Sequence, residues 1–120
     1  MNPLEPERHI VWTALLTLVG ARKRIRVSGN SMKPAFEDGD EVFVDTLSYK
    51  LAHPQIGDIV LSAHPFRRDV QIIKQVHKID SDGKIYLSGL NASESTDSRS
   101  FGAVARKYIK GKVVSLATGR

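Results

Sequence analysis

Two side chains have types and surroundings suited to chemistry. Ser31 lies in Ser28-Gly29-Asn30-Ser31-Met32-Lys33-Pro34, after a Gly-Asn turn and before the tight Asp38-Gly39-Asp40 corner that leads into the strand pattern Glu41–Asp45. That arrangement displays a hydroxyl on a stiff support. A serine hydroxyl is a poor nucleophile until a positioned base takes its proton. Lys74 is the candidate base. In the run from Val70 to Ile79, strand alternation puts Val70, Ile72, Lys74 and Val76 on one face and Gln71, Ile73, Gln75 and His77 on the other. Lys74 therefore falls on the more apolar face, where burial disfavours the ammonium form and lowers its pKa toward the range in which it accepts a proton. The alternative reading of the same residue is a lysine whose stem packs while its head reaches water.

The elements that must hold these two groups are short strands. From residue 23 onward, β-type runs are punctuated by Gly, Pro and Asp, predicting strands at 24–28, 41–45, 58–63, 70–79, 84–88 and 108–116. Asp82-Gly83 reads as a hairpin turn between the fourth and fifth. Segments 46–57 and 89–102 read as longer loops. The pattern predicts a mainly β fold, a single small β-barrel or sandwich-like core with one N-terminal helix. Residues 1–22 form a leader and short apolar helix, and residues 23–120 form the main domain.

The helix is predicted over 8–19 and ends at Gly20. His9, Thr13 and Thr17 make a narrow polar stripe on an otherwise apolar surface. About twelve residues cannot cross a bilayer, which takes close to 20. Three placements fit: packing on the domain, lying in a membrane interface with Trp12 and Arg22-Lys23-Arg24 as anchors, or contacting a partner. Acids and prolines before the apolar run argue against a signal peptide, so the default compartment is the cytoplasm, with peripheral membrane contact through residues 8–24 as the variant.

Composition narrows the chemistry. The 120 residues suit one domain. The chain contains no cysteine, which excludes disulfides, thiolate nucleophiles and Cys-ligated metal. Its formal charge of +5 is uneven, with Arg22, Lys23, Arg24 and Arg26 before Ser31 and an acid-free basic C-terminal stretch. Nucleic acid is not the expected partner, because neither a helix-turn-helix pattern nor an aromatic stacking platform accompanies the charge. His53, His64 and His77 lack the spacing of metal ligands, and Asp38, Asp40, Glu41 and Asp45 lack that of a calcium loop. No metal and no cofactor are expected. Arg67 and Arg68 read as solvated.

Taken in order, Ser31–Asp40, Gly57-Asp58-Ile59-Val60, Ile73-Lys74-Gln75-Val76, the run from Ser88 to Gly102 that contains Ser95-Thr96-Asp97-Ser98-Arg99, and Ile109-Lys110-Gly111-Lys112-Val113 resemble the blocks of the signal peptidase I-like (S26) family of Ser/Lys endopeptidases. The resemblance implies that Ser31 is the nucleophile and Lys74 the general base. It implies that Ser95 orients the lysine while Asp97 and Arg99 pair beside the site. The oxyanion would be held by the backbone N–H of Ser31, with Asn30 or Ser28 as weaker side-chain candidates, since Gly29 stands where some members carry a hydroxyl.

Departures are Leu90 for the usual Asp between Gly89 and Asn91, and Gln75 for Arg after Lys74. Only fourteen residues separate Lys74 from Gly89, which leaves no room for the inserted domain of bacterial signal peptidases. The build most resembles the nickel-type superoxide dismutase maturation proteases, implying a precursor substrate whose N-terminal propeptide is removed. The alternatives are a membrane-associated signal peptidase I-like enzyme and an inactive binding module with the same fold. LexA-type self-cleaving repressors share the core, but 22 residues are too few for their DNA-binding domain.

Overall fold

The computed structural model describes residues 22–67, 69–91 and 102–117. The expected helix over 8–19, Arg68 and the loop residues Ser95, Asp97 and Arg99 lie outside them. Within the described residues the chain is mainly β, as expected. The strands are β1 (Arg22–Arg26), β2 (Glu41–Asp45), β3 (Ile59–Ala63), β4 (Gln71–Ile79), β5 (Ile85–Ser88) and β6 (Ile109–Leu116), all in one sheet. Glycine sets several of the boundaries. Gly39 and Gly83 have φ of 88° and 87°, a left-handed backbone that residues with a Cβ rarely adopt, and each closes a turn where the sequence places one.

Segment 46–57 departs from the loop reading, because Ser48–Leu51 forms one helical turn, α1. Four residues with no side-chain N-cap cannot sustain a helix alone. Tertiary contacts hold it instead. The Arg106 guanidinium donates to the carbonyls of Tyr49 and Ala52, and the Tyr49 hydroxyl donates to Asp58 Oδ2 at 2.7 Å. Burial, then that hydrogen bond and the charge of Asp58, push the Tyr49 phenol well above the usual tyrosine range. A phenol with a raised folded-state pKa contributes stability that is complete below about pH 10 and is lost as pH rises beyond it. Tyr49→Phe is expected to cost about 1–3 kcal/mol in urea unfolding at neutral pH, with the difference from the parent shrinking in alkali. An unchanged midpoint would show that Asp58 is equally satisfied by the Gln55 N–H and Lys112.

The sheet order is β1-β2-β6-β3-β4-β5, so the last strand is inserted at the centre. β6 pairs antiparallel with β2 on one side and with β3 on the other. The Ser31 turn therefore belongs to the β1–β2 half, Lys74 to the β3–β4–β5 half, and β6 is the seam between them. Two apolar clusters form. Val27, Met32, Phe36, Val42, Val44, Leu61 and Val113 make the first. Tyr49, Val60, Val76, Ile85, Leu87, Val104 and Ile109 make the second. Val60 and Leu61 are adjacent on β3 yet fall in different clusters, as strand alternation requires of a sheet with apolar cover on both faces. Ile73, which alternates with Lys74 along β4, packs against the first cluster.

Candidate active site

Ser31 sits in a turn closed by Lys33 N–H to the Asn30 carbonyl and Phe36 N–H to the Met32 carbonyl. The Lys33–Pro34 peptide within it is cis. The Asp38-Gly39-Asp40 corner fastens this turn to β1. Val27 N–H donates to the Asp40 carbonyl, Gly39 N–H to the Val27 carbonyl, Gly29 N–H to Asp38 Oδ1 and Glu37 N–H to Asp40 Oδ2. Met32 is fully buried beneath it. The stiff display expected of the hydroxyl has these bonds as its cause.

A second anchor comes from a residue the sequence reading quoted but gave no role. Asn91 N–H donates to the Ser31 carbonyl at 2.8 Å, and its side-chain amide donates to the Asn30 carbonyl at 3.2 Å. The segment after β5 is thereby docked onto the serine turn. The signal in the sequence is the position of Asn91 in Gly89-Leu90-Asn91, just after β5.

Lys74 pairs in register with Val60 of β3 and is only 5% exposed. Val76 on the same face is fully buried and Ile72 is half-buried. Alternation thus placed the lysine correctly, and the solvated-head reading fails. On the other side of β4, β5 pairs from Gln75 onward, past the stretch Gln71–Lys74. Among the described residues β1 is the outermost strand on the opposite side of the sheet.

Between β1 and this stretch of β4 lies a cavity of about 190 Å³. Ile25, Arg26, Val27 and Ser28 line it from the β1 side, Ser31 and Met32 from the turn, Leu61 from β3, and Gln71, Ile72, Ile73 and Lys74 from β4. The sheet coils enough for its first strand to approach its fifth, which is how residues 43 positions apart come to share one space. Among the described residues, neither the Ser31 N–H nor its hydroxyl makes a hydrogen bond, so the donor named for the oxyanion faces no competitor there. Asn30 contributes its carbonyl to the turn. Ser28 lines the cavity. Ser95, Asp97 and Arg99 lie outside the described residues.

A serine, a buried lysine and segments of β1 and β4 thus line one space. The profile of the family described as "Signal peptidase, peptidase S26" matches residues 8–82, more than half of the chain, and the chain belongs to that family. The chain is also 30% identical over 108 residues to human mitochondrial inner membrane protease subunit 1, a match spanning 74% of this chain and 65% of that protein. The Schizosaccharomyces pombe protein of the same name is 31% identical over 107 residues, covering 73% and 68%. Mitochondrial ATP-independent inner membrane protease subunit 1a of Arabidopsis thaliana is 27% identical over 110 residues, covering 73% and 66%. The chain spans just under two thirds of the human relative's length.

These relatives are named as inner membrane proteases, which corrects the narrower expectation. They lend no support to a nickel-type superoxide dismutase precursor as the substrate, and they favour the membrane-associated alternative over the cytoplasmic default. Among the described residues, no helix is long and apolar enough to cross a membrane.

Proposed function

We propose that this chain is a serine endopeptidase that removes an N-terminal segment from precursor proteins at a membrane surface, with Ser31 as nucleophile and Lys74 as general base. One observation carries the reading. The only lysine among the buried described residues lines the same cavity as the serine of the Ser-Met-x-Pro turn. Burial strips the water that stabilises an ammonium ion, which is what a proton-accepting amine requires. An inactive binding module has no need of this pairing.

The substrate lies extended in the space between β1 and the Gln71–Lys74 stretch of β4. Its small apolar side chains enter the space among Ile25, Val27, Leu61 and Ile73. The Ser31 hydroxyl oxygen attacks the scissile carbonyl carbon as the Lys74 amine takes the hydroxyl proton. The resulting oxyanion accepts from the Ser31 N–H, a type of donor worth about 3–4 kcal/mol of barrier. Lys74 returns the proton to the departing amine, the C–N bond breaks, and an acyl-enzyme remains. Water then attacks the ester carbonyl as Lys74 takes its proton, and the proton goes back to Ser31 as the ester bond breaks. Ser95 orients the lysine, with Asp97 and Arg99 paired beside it. The domain that does this spans 23–120, and residues 1–22 form an apolar leader at the membrane.

The substrate class is tested by offering two precursors to the wild-type chain in lipid vesicles. One is a membrane-anchored precursor with an N-terminal presequence, the other a nickel-type superoxide dismutase precursor. Cleavage of the first at a single bond is expected. Cleavage of the second alone would reverse the assignment.

A further inference from the structure

Four successive antiparallel pairings, β1 with β2, β2 with β6, β6 with β3 and β3 with β4, leave β1, β6 and β4 running in the same direction. The starts of those three strands and the ends of β2 and β3 are therefore gathered at one end of the sheet. α1 follows β2 and packs through Tyr49 in the second apolar cluster, the turn over 64–70 joins β3 to β4, and the 3-10 turn Arg106–Tyr108 leads into β6.

The surface of that end is unusual in two respects. The two most exposed large apolar side chains among the described residues are both here, Leu51 of α1 at 81% and Phe66 of the β3–β4 turn at 75%. The same connections and the start of β1 carry the exposed cations Arg22, Lys23, Lys50, Arg67 and Lys107. The acids nearby among the described residues are Asp69, Asp45, whose carboxylate already accepts the N–H groups of Leu47 and Ser48, and Asp58, which is engaged by the Tyr49 hydroxyl, the Gln55 N–H and Lys112. Apolar tips set in a rim of cations match the chemistry of an anionic bilayer, where acyl boundary and phosphate lie side by side.

We infer that this end of the sheet, through Leu51, Phe66 and the surrounding cations, docks on an anionic lipid surface. The inference rests on the membrane reading above and gives it a face. Charge argues against the chain's own apolar run as the occupant, because residues 10–19 contain no acid to meet the cations. Docking here brings the start of β1 to the bilayer and leaves the cavity between β1 and β4 at its side, positioned to receive a precursor emerging from the membrane.

The test is co-sedimentation of the full chain with vesicles of phosphatidylcholine alone and of phosphatidylcholine mixed with phosphatidylglycerol, alongside turnover of a soluble peptide. The wild type is expected to prefer the anionic vesicles and to be released by salt. Leu51→Ser/Phe66→Ser is expected to weaken that binding about tenfold while leaving soluble-peptide turnover and melting temperature unchanged. Arg22→Ser/Lys23→Ser/Lys107→Ser is expected to abolish the preference for anionic lipid. Binding by the first variant equal to wild type would overturn the inference, assigning adsorption to residues 1–21. So would concentration-dependent dimerisation lost in that variant with no vesicle binding by the parent. Absent soluble-peptide turnover in the wild type would strike the peptidase reading and leave the docking result standing.

Discussion

Lys74→Met is expected to lower peptide cleavage by about a thousandfold or more while leaving the domain folded, with a melting temperature equal to or above that of the parent. Methionine nearly matches the length of the lysine stem and suits a buried position in register with Val60, so the change isolates the amine. Removing a buried polar head relieves its desolvation, hence the unchanged or raised stability. Lys74→Arg is expected to be equally inactive for a different reason, since a guanidinium stays protonated at any working pH and cannot accept the serine proton. Ser31→Ala should match Lys74→Met in activity, and the double variant should be no worse than either single one. Groups that act as one unit behave in that non-additive way. Activity in Lys74→Arg within tenfold of wild type would remove the lysine from the mechanism.

The second large effect lies far from the chemistry in type but not in consequence. A Cβ built on Gly111 would come within 2.6 Å of Val44 Cγ1 and 2.7 Å of the Asp45 carbonyl oxygen. The valine methyl can rotate away, but the backbone oxygen of β2 cannot. Gly111→Ala is therefore expected to cost about 3 kcal/mol, read as a fall in melting temperature of roughly 10–20 °C. β6 joins the half of the sheet carrying Ser31 to the half carrying Lys74, so loosening this seam separates the two groups before the rest of the fold is lost. Cleavage by Gly111→Ala is expected to fail at a temperature below that of global unfolding followed by circular dichroism. Coincident loss of both would show that the halves do not open independently.

The strand plan was legible because its punctuation is chemical. Positive-φ glycines at 39 and 83 stand where the sequence puts tight turns, and observed strand limits fall within two residues of those read from the pattern. The order of the strands was not legible, since placing β6 between β2 and β3 depends on long-range pairing that no local window contains. α1 was missed for a related reason. Its four residues have no cap of their own and depend on Arg106 and Asp58 from distant segments.

The site divides in the same way. Ser31 and Lys74 were recognisable from residue type and alternation, and the burial of the lysine agrees with that reading. Their meeting in one cavity follows from the coil of the sheet, which the alternation does not encode. Asn91, which pins the serine turn by two hydrogen bonds, carried only a weak signal because backbone anchoring makes little demand on neighbouring residue types. The membrane reading stood in the sequence as an alternative, through the apolar run over 8–19 and the cations Arg22, Lys23 and Arg24. The relatives' names favour it over the cytoplasmic default.

The central claim is that the Ser31 oxygen forms a covalent bond to the substrate with the help of the Lys74 amine. Acid-quenching a turnover mixture with a peptide ester and mapping the digest by mass spectrometry tests it directly. The expected result is the acyl half of the ester on the peptide containing Ser31 in the wild type, and no adduct in Lys74→Met. An acyl group on any other residue, or turnover with Ser31 replaced by alanine, would contradict it.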